Sequence, residues 1–252
     1  MPLSAEIFLF LVSVALIAGF IDAIAGGGGL LSVPALLAAG IPPVAALATN
    51  KVQSSMGTAT ACFAYARNGH IDFRAMRLPV LLTFLGAAGG ALAVQLIEPS
   101  VLAAVVPVLL IAMSLYFLLS PRLGDIDGRQ RVGIAAFAFV VGAIGFYDGF
   151  FGPGAGSFYA LSLVSLMGFG LVRATANTKL LNLTSNVAAL LTMAVGGKMI
   201  WTLGLAMGGA AMIGGQLGSM AAMRFGGRLI RPLLVTISIA LTVKLLADGP
   251  LA

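Results

Sequence analysis

Polar positions are so sparse along this chain that its hydrophobic pattern reads as long blocks. Apolar stretches run from Ala5 to Ile24, Val44 to Tyr65, Leu78 to Ile97, Val101 to Leu119, Val132 to Phe150, Val172 to Val195, Ile200 to Met223 and Leu233 to Ala247. Most are close to the ~20 residues that carry an α-helix across a bilayer. None alternates with the period of two of a barrel strand, so the pattern predicts an all-α polytopic membrane protein. Two shorter segments, Leu30 to Ala39 and Ser157 to Met167, each follow a glycine-rich tract. The first block has Glu6 at its start and no Lys or Arg, and it is longer than a signal-peptide core, so it reads as a retained span.

The few polar residues inside the blocks occur twice. The tract from Gly19 to Gly29, with Asp22 ahead of Gly26, Gly27, Gly28 and Gly29, returns from Gly145 to Ala155, with Asp148 ahead of Gly152, Pro153 and Gly154, an offset of 126 (148 minus 22). Ala48-Thr49-Asn50-Lys51 returns as Ala176-Asn177-Thr178-Lys179, an offset of 128 (179 minus 51). At that second offset Gly86 meets Gly214, and Gly90 meets Gly218. A duplicated apolar unit that carries an acid, a break and a lysine at matching places is a pointer to a transporter. The domain boundaries follow: an N-terminal repeat over 1–120, a linker over 121–131 and a C-terminal repeat over 132–252.

Composition agrees, with 60% apolar and 9% charged residues and a mean hydropathy of +1.09. Charge adds topology. Arginines cluster at Arg67, Arg74 and Arg77, at Arg122, Arg129 and Arg131, and at Arg224, Arg228 and Arg231. Short positive loops belong in the cytoplasm. All three clusters share that side only if the two short segments count as crossings. Each half then has five crossings, the halves are inverted relative to each other, and both termini lie outside. Ten arginines, these nine and Arg173, are then inside, and Lys198 stands in an outside loop. The net charge of +6 suits anionic lipid heads and gives no argument for nucleic acid. The single cysteine, Cys62, excludes an internal disulfide and reads as packing; His70 reads as a solvated loop residue. No metal-ligand cluster, phosphate loop or nucleophile with a histidine partner is visible, and no cofactor is expected.

The breaks are the candidate chemistry. Gly26 to Gly29 cannot continue a stable helix, nor can Gly152, Pro153, Gly154 and Gly156. Each break opens a short helix whose first N–H groups lack intrahelical partners and carry the positive end of the dipole. Two such ends meeting at a repeat interface make an anion site. Lys51, Ser54, Ser55 and Thr58 share one helical face, and Lys179, Asn182 and Asn186 repeat that face. Asn50, Gln53 and Asn177 add amides, so the predicted substrate site is Asn50, Lys51, Gln53, Ser54, Asn177, Lys179 and Asn182 with the glycines of both breaks. Gly86, Gly89, Gly90, Gly214, Gly215 and Gly218 read instead as helix-packing positions. Asp22 and Asp148 admit three roles: proton or sodium coupling sites, ion-pair partners of Lys51 or Lys179, or interfacial acids. Tyr147 has two readings, a hydrogen-bond donor to a ligand or an interfacial anchor.

Two acid-plus-glycine breaks, each followed by a Thr/Asn-Lys tract on a long polar-faced helix, resemble the TauE/SafE family of sulfite exporters and organosulfur-anion permeases. The resemblance covers nearly the whole chain. It implies secondary transport of a small sulfur-containing anion such as sulfite, a sulfonate or sulfoacetate, across a bacterial inner membrane. The partners expected are that anion, membrane lipids, and protons or sodium as coupling ion. The second copy departs from the first at Pro153 and Ala155 and in the order of Asn and Thr before the lysine, so the half-sites need not be equivalent. Competing readings are a passive anion channel, an intramembrane enzyme built on the two aspartates, or a membrane scaffold.

Overall fold

A computed structural model describes residues 3–119 and 128–225. Arg122, Arg228, Arg231 and the apolar block from Leu233 to Ala247, the tenth predicted segment, lie outside those residues. Among the described residues the fold is entirely helical: α1 (Ala5–Ala25), α2 (Gly29–Ala38), α3 (Pro43–Arg67), α4 (Arg77–Leu96), α5 (Pro99–Leu119), α6 (Ile134–Phe150), α7 (Ala155–Met167), α8 (Leu171–Val195) and α9 (Trp201–Phe225).

Local chemistry sets the ends. Ser4 caps α1 by accepting the Ile7 N–H at 3.3 Å. The helix stops where Gly26 turns left-handed at φ 78 and its N–H donates to the Asp22 carbonyl at 2.8 Å. Pro43 opens α3, where its missing N–H costs nothing. Gly154, at φ 85, precedes α7, and Gly168, at φ 72, ends it. At 1.5 Å per residue α1 is long enough to cross a ~30 Å hydrocarbon core, whereas the 10 residues of α2 and 13 of α7 reach only part way. By length and composition α1 and α4 each qualify as membrane spans.

Burial differs from that of a soluble protein: the surface is apolar, and a polar cluster sits within an otherwise apolar interior. Leu9, Phe10, Leu81, Leu85, Leu92, Phe139, Leu217 and Met220 face outward, while Lys51, Lys179, Asp148, Asn50, Asn177, Asn182 and Asn186 are buried. An apolar exterior around a buried polar cluster is stable in lipid, where burying leucine against protein gains little and exposing a charge costs several kcal/mol.

The duplication recurs in the packing. Helix α1 lies along α9, and α6 lies along α4, so each copy's first helix packs on the other copy's fourth. The contacts match residue for residue. A Cβ on Gly214 would fall onto the Leu16 carbonyl, and one on Gly86 onto the Gly142 carbonyl. Gly218 meets the Phe20 carbonyl and Gly90 the Phe146 carbonyl, and both pairs of acceptors differ by 126 (142 minus 16, 146 minus 20). Glycine is required at these positions because backbone meets backbone. Gly89 differs, meeting only the Phe146 ring edge at 3.6 Å.

Helices α3 and α8 form the centre and run antiparallel. Tyr65, near the end of α3, clusters with Leu171 at the start of α8. Val44 and Leu47, at the start of α3, cluster with Ala189 and Met193 near the end of α8. At one end of the bundle the Gly128 and Arg131 amides donate to the Gly168 and Leu166 carbonyls at 2.7 and 2.8 Å. The Asn177 side chain donates to the His70 carbonyl there at 3.3 Å. That end therefore carries the α3–α4 connection with Arg74, the segment before α6 with Arg129 and Arg131, the start of α8 with Arg173, and the end of α9 with Arg224. Lys198 is at the opposite end, where the Ile200 N–H donates to Thr49 at 3.1 Å.

Candidate functional site

The two glycine breaks meet at the centre of the bundle. A Cβ on Gly26 would lie 2.6 Å from the Gly156 carbonyl carbon, so the two breaks cross with no side chain between them. The first copy's turn is drawn together by Gly28, whose N–H approaches Asp22 Oδ1 at 3.4 Å, and by Ser32, whose hydroxyl donates to the Gly28 carbonyl at 3.3 Å. In the second, Gly152 adopts φ 100 and the Tyr147 hydroxyl donates to the Pro153 carbonyl at 2.7 Å. Tyr147 therefore braces the break, which neither reading of the sequence anticipated. Ser157 ties the copies together by donating to the Ala25 carbonyl at 2.8 Å. Among the described residues no acceptor takes the amides of Gly29 and Gly156, in the first turns of α2 and α7.

Across this junction each lysine reaches the aspartate of the other copy. Lys51 Nζ donates to Asp148 Oδ1 at 2.6 Å, to the Asp148 carbonyl at 2.6 Å and to Asn186 Oδ1 at 3.0 Å, which uses all three of its N–H bonds. Asp148 Oδ2 accepts the Ser185 hydroxyl. Lys179 Nζ donates to the Asp22 carbonyl and to Asp22 Oδ2 at 3.2 Å, and Thr58 donates to the same oxygen at 3.4 Å. The pairs are alike in topology and unlike in environment. Lys51 and Asp148 are 1% and 2% exposed, whereas the Asp22 side chain is 19% exposed beside a fully buried Lys179. Of the three roles left open for the aspartates, ion pairing is the one their contacts display, and Asp148 is buried.

A polar cleft runs between the breaks and the two central helices. Asp22, Gly26, Gly29, Asn50, Lys51, Ser54, Asp148, Gly152, Gly154, Gly156, Asn182 and Asn186 line it. Most of the predicted substrate residues are thus brought together. Gly28 and Gln53 line a second small cleft between α1, α3 and α9, which shares Asp22 and Ser54 with the first. Gly27 lines neither, though its carbonyl accepts the Leu30 N–H at 3.0 Å. Lys179 reaches the junction through Asp22. Asn177 points away, donating to the Arg173 and His70 carbonyls at 2.9 and 3.3 Å. Its equivalent, Thr49, makes the matching link at the other end by accepting the Ile200 N–H. These two residues latch connections. Asn186 and Ser185 were absent from the predicted site. The seven-residue step from Lys179 marks Asn186, while Ser185 has no signal in the spacing and is identified only by its contact with Asp148.

The comparisons with known proteins bear on this site. A family model described as "Sulfite exporter TauE/SafE" matches residues 11–245. The chain belongs to the TauE/SafE family. A "Probable membrane transporter protein ORF9" of a Sinorhizobium species is 48% identical over 247 residues, covering 98% of this chain and 95% of that protein. A "Probable membrane transporter protein YfcA" of Escherichia coli K12 is 47% identical over 249 residues, covering 98% and 91%. A more distant "Probable membrane transporter protein YunE" of Bacillus subtilis is 24% identical over 272 residues, covering 96% and 98%. No solved structure matches the chain. TauE/SafE membership makes this a membrane protein and supports a transporter.

Proposed function

We propose that this TauE/SafE protein is a secondary transporter that moves a small sulfur-containing oxyanion by alternating access, driven by an ion gradient. One observation carries the reading: two glycine breaks cross at the centre of the bundle, and the lysine of each repeat is held by the aspartate of the other. Donors suited to an oxyanion converge there: two ammonium groups, the amides of Asn50, Asn182 and Asn186, and unpaired amides in the first turns of α2 and α7.

The cleft has room for about one water molecule. An oxyanion must therefore open it and take Lys51 away from Asp148 or Asn186. Such a site fits a transporter resting in a closed state better than an open pore. Opposite chain directions of α3 and α8, with arginines gathered at one end, support repeats inverted across the membrane with that end in the cytoplasm. Two similar halves packed in exchanged pairs can rock about the central site with each half taking the other's role.

Reconstitution into liposomes tests the reading. Labelled sulfite and small sulfonates should accumulate against their gradient when an ion gradient is imposed, and should exchange by counterflow without one. Uptake that only follows the anion's own gradient would mark a channel, and absence of flux for every sulfur oxyanion tried would overturn the substrate class.

A further inference from the structure

The second cleft carries chemistry that the anion site does not use. Its walls are Ala18, Gly19 and Asp22 of α1, Gly28 just before α2, Gln53, Ser54, Gly57 and Thr58 of α3, and Ala211 of α9. Gln53 is 3% exposed, and among the described residues its side-chain oxygen has no hydrogen-bond partner. The Ser32 hydroxyl donates to the Gly28 carbonyl at 3.3 Å and accepts from Gln53 Nε2 at 2.8 Å, which leaves Oε1 as the free end. An unpartnered buried carbonyl oxygen costs about 1–3 kcal/mol, so a hydrogen-bond donor or a cation belongs against it.

Further oxygens stand around this cleft, beside the Gly28 N–H that approaches Asp22 Oδ1. The Thr58 hydroxyl gives its proton to Asp22 Oδ2 and keeps lone pairs free. Ala18 lines the cleft, and its carbonyl oxygen lies against Gly28, another lining residue, 2.6 Å from where a Gly28 Cβ would stand. Asp22 adds a carboxylate whose Oδ1 has only the long 3.4 Å contact from Gly28. The cleft has room for a single water-sized occupant. One carboxylate, neutral carbonyls and a hydroxyl around a space of that size are a donor set for a small monovalent cation; a divalent ion is usually held by more carboxylate charge.

We propose that a sodium ion binds in this cleft, held by Asp22, the Gln53 side-chain carbonyl, Thr58 and the Ala18 carbonyl, and that it is the coupling ion of transport. The second part rests on the transporter reading; the first stands alone. Lys179 contacts Asp22 from α8, which contributes no residue to this cleft. The central charges, Asp22 and Asp148 against Lys51 and Lys179, sum to zero. A sodium ion alone would leave an excess of one positive charge beside Lys179, and a singly charged anion alone an excess of one negative. Both together restore neutrality, and Asp22 and Ser54 stand in the wall between the two clefts. Each ligand should therefore raise affinity for the other. The second repeat cannot form a twin site, because Leu181 occupies the position equivalent to Gln53 (181 minus 53 is 128).

Thermal unfolding of the purified protein, without organic anion and at constant chloride, tests the site. Sodium should raise the midpoint saturably, while potassium and choline should not. Gln53→Leu, which copies the residue of the second repeat, should weaken the half-saturating sodium concentration at least tenfold, and Thr58→Val should weaken it as well. Lys198→Ala, in a remote connection, should respond as the unaltered protein does. No sodium-selective shift in the unaltered protein means that water alone fills the cleft, and a midpoint that follows pH but not sodium means that a proton takes this role. Either overturns the proposal, as does an undiminished response in both variants. The unaltered protein's ion series decides even if a variant fails to fold. Anion flux in liposomes without sodium stabilisation would sink this site and leave the transporter reading; stabilisation without flux would do the reverse.

Discussion

Lys51 and Lys179 hold the same position in two copies of one motif, and their surroundings make them respond differently to substitution. Lys51→Ala strands Asp148, 2% exposed, with Ser185 as its remaining hydrogen-bond donor among the described side chains, and removal of one partner of a buried pair costs about 3–5 kcal/mol. Lys179→Ala leaves Asp22 with 19% exposure and the Thr58 and Gly28 contacts, so its loss of stability should be the smaller of the two. Thermal unfolding in detergent checks the order. Lys51→Ala combined with Asp148→Ala should recover much of the single-variant loss, and a double variant no more stable than Lys51→Ala would refute the ion-pair account. From sequence alone, alanine at either lysine would be expected to weaken anion binding with folded yield nearly intact. The structure changes that expectation, because both ammonium groups are anchored inside the protein.

At the scale of elements, glycines decide how closely helices approach. Gly90 of α4 packs directly on the Phe146 carbonyl of α6, and no rotamer can relieve a clash between a Cβ and backbone. Gly90→Ala should therefore destabilise the protein by about 1–3 kcal/mol through overpacking. Gly209→Ala, on α9 with nothing within 4 Å of its Cβ, should be neutral or gain up to about 1 kcal/mol from helix propensity. A comparison of melting midpoints separates the two, and equal effects would mean that close approach is not what Gly90 serves. Helix positions were legible beforehand because length and apolarity are local properties: Val44 to Tyr65 became Pro43–Arg67, and Leu78 to Ile97 became Arg77–Leu96. Tyr147 was not legible, because its acceptor is a carbonyl exposed only by the break at Pro153.

For the whole molecule, the shared end of the bundle makes a topological prediction. In a Cys62→Ser background, single cysteines at Arg74 and Arg129 should label from one side of the membrane with an impermeant maleimide, and a cysteine at Lys198 from the other. All three residues are exposed, so accessibility is decided by the bilayer. Labelling of Arg74 and Arg129 from opposite sides would dismantle the inverted arrangement, and with it the exchange of roles that the proposed alternating access requires.

Class, helix number among the described residues, duplication and the small set of polar residues at the centre were determined by the sequence, because each follows from local composition or from spacing along the chain. Spacing also marked the faces that hold Lys51, Asn182 and Asn186. What tertiary structure alone decided was partnership. Nothing in the order of residues says that Lys51 meets the aspartate 97 positions away, or that Asn177 latches a connection while Asn182 lines the cleft. Those outcomes depend on the two copies packing in exchanged pairs, an arrangement set by backbone contacts at Gly86, Gly90, Gly214 and Gly218. Packing of the two copies also decided that Asp22 stays partly exposed beside Lys179 while Asp148 is sealed beside Lys51, and that Gln53 stands beside a cleft with its side-chain oxygen unpaired among the described residues.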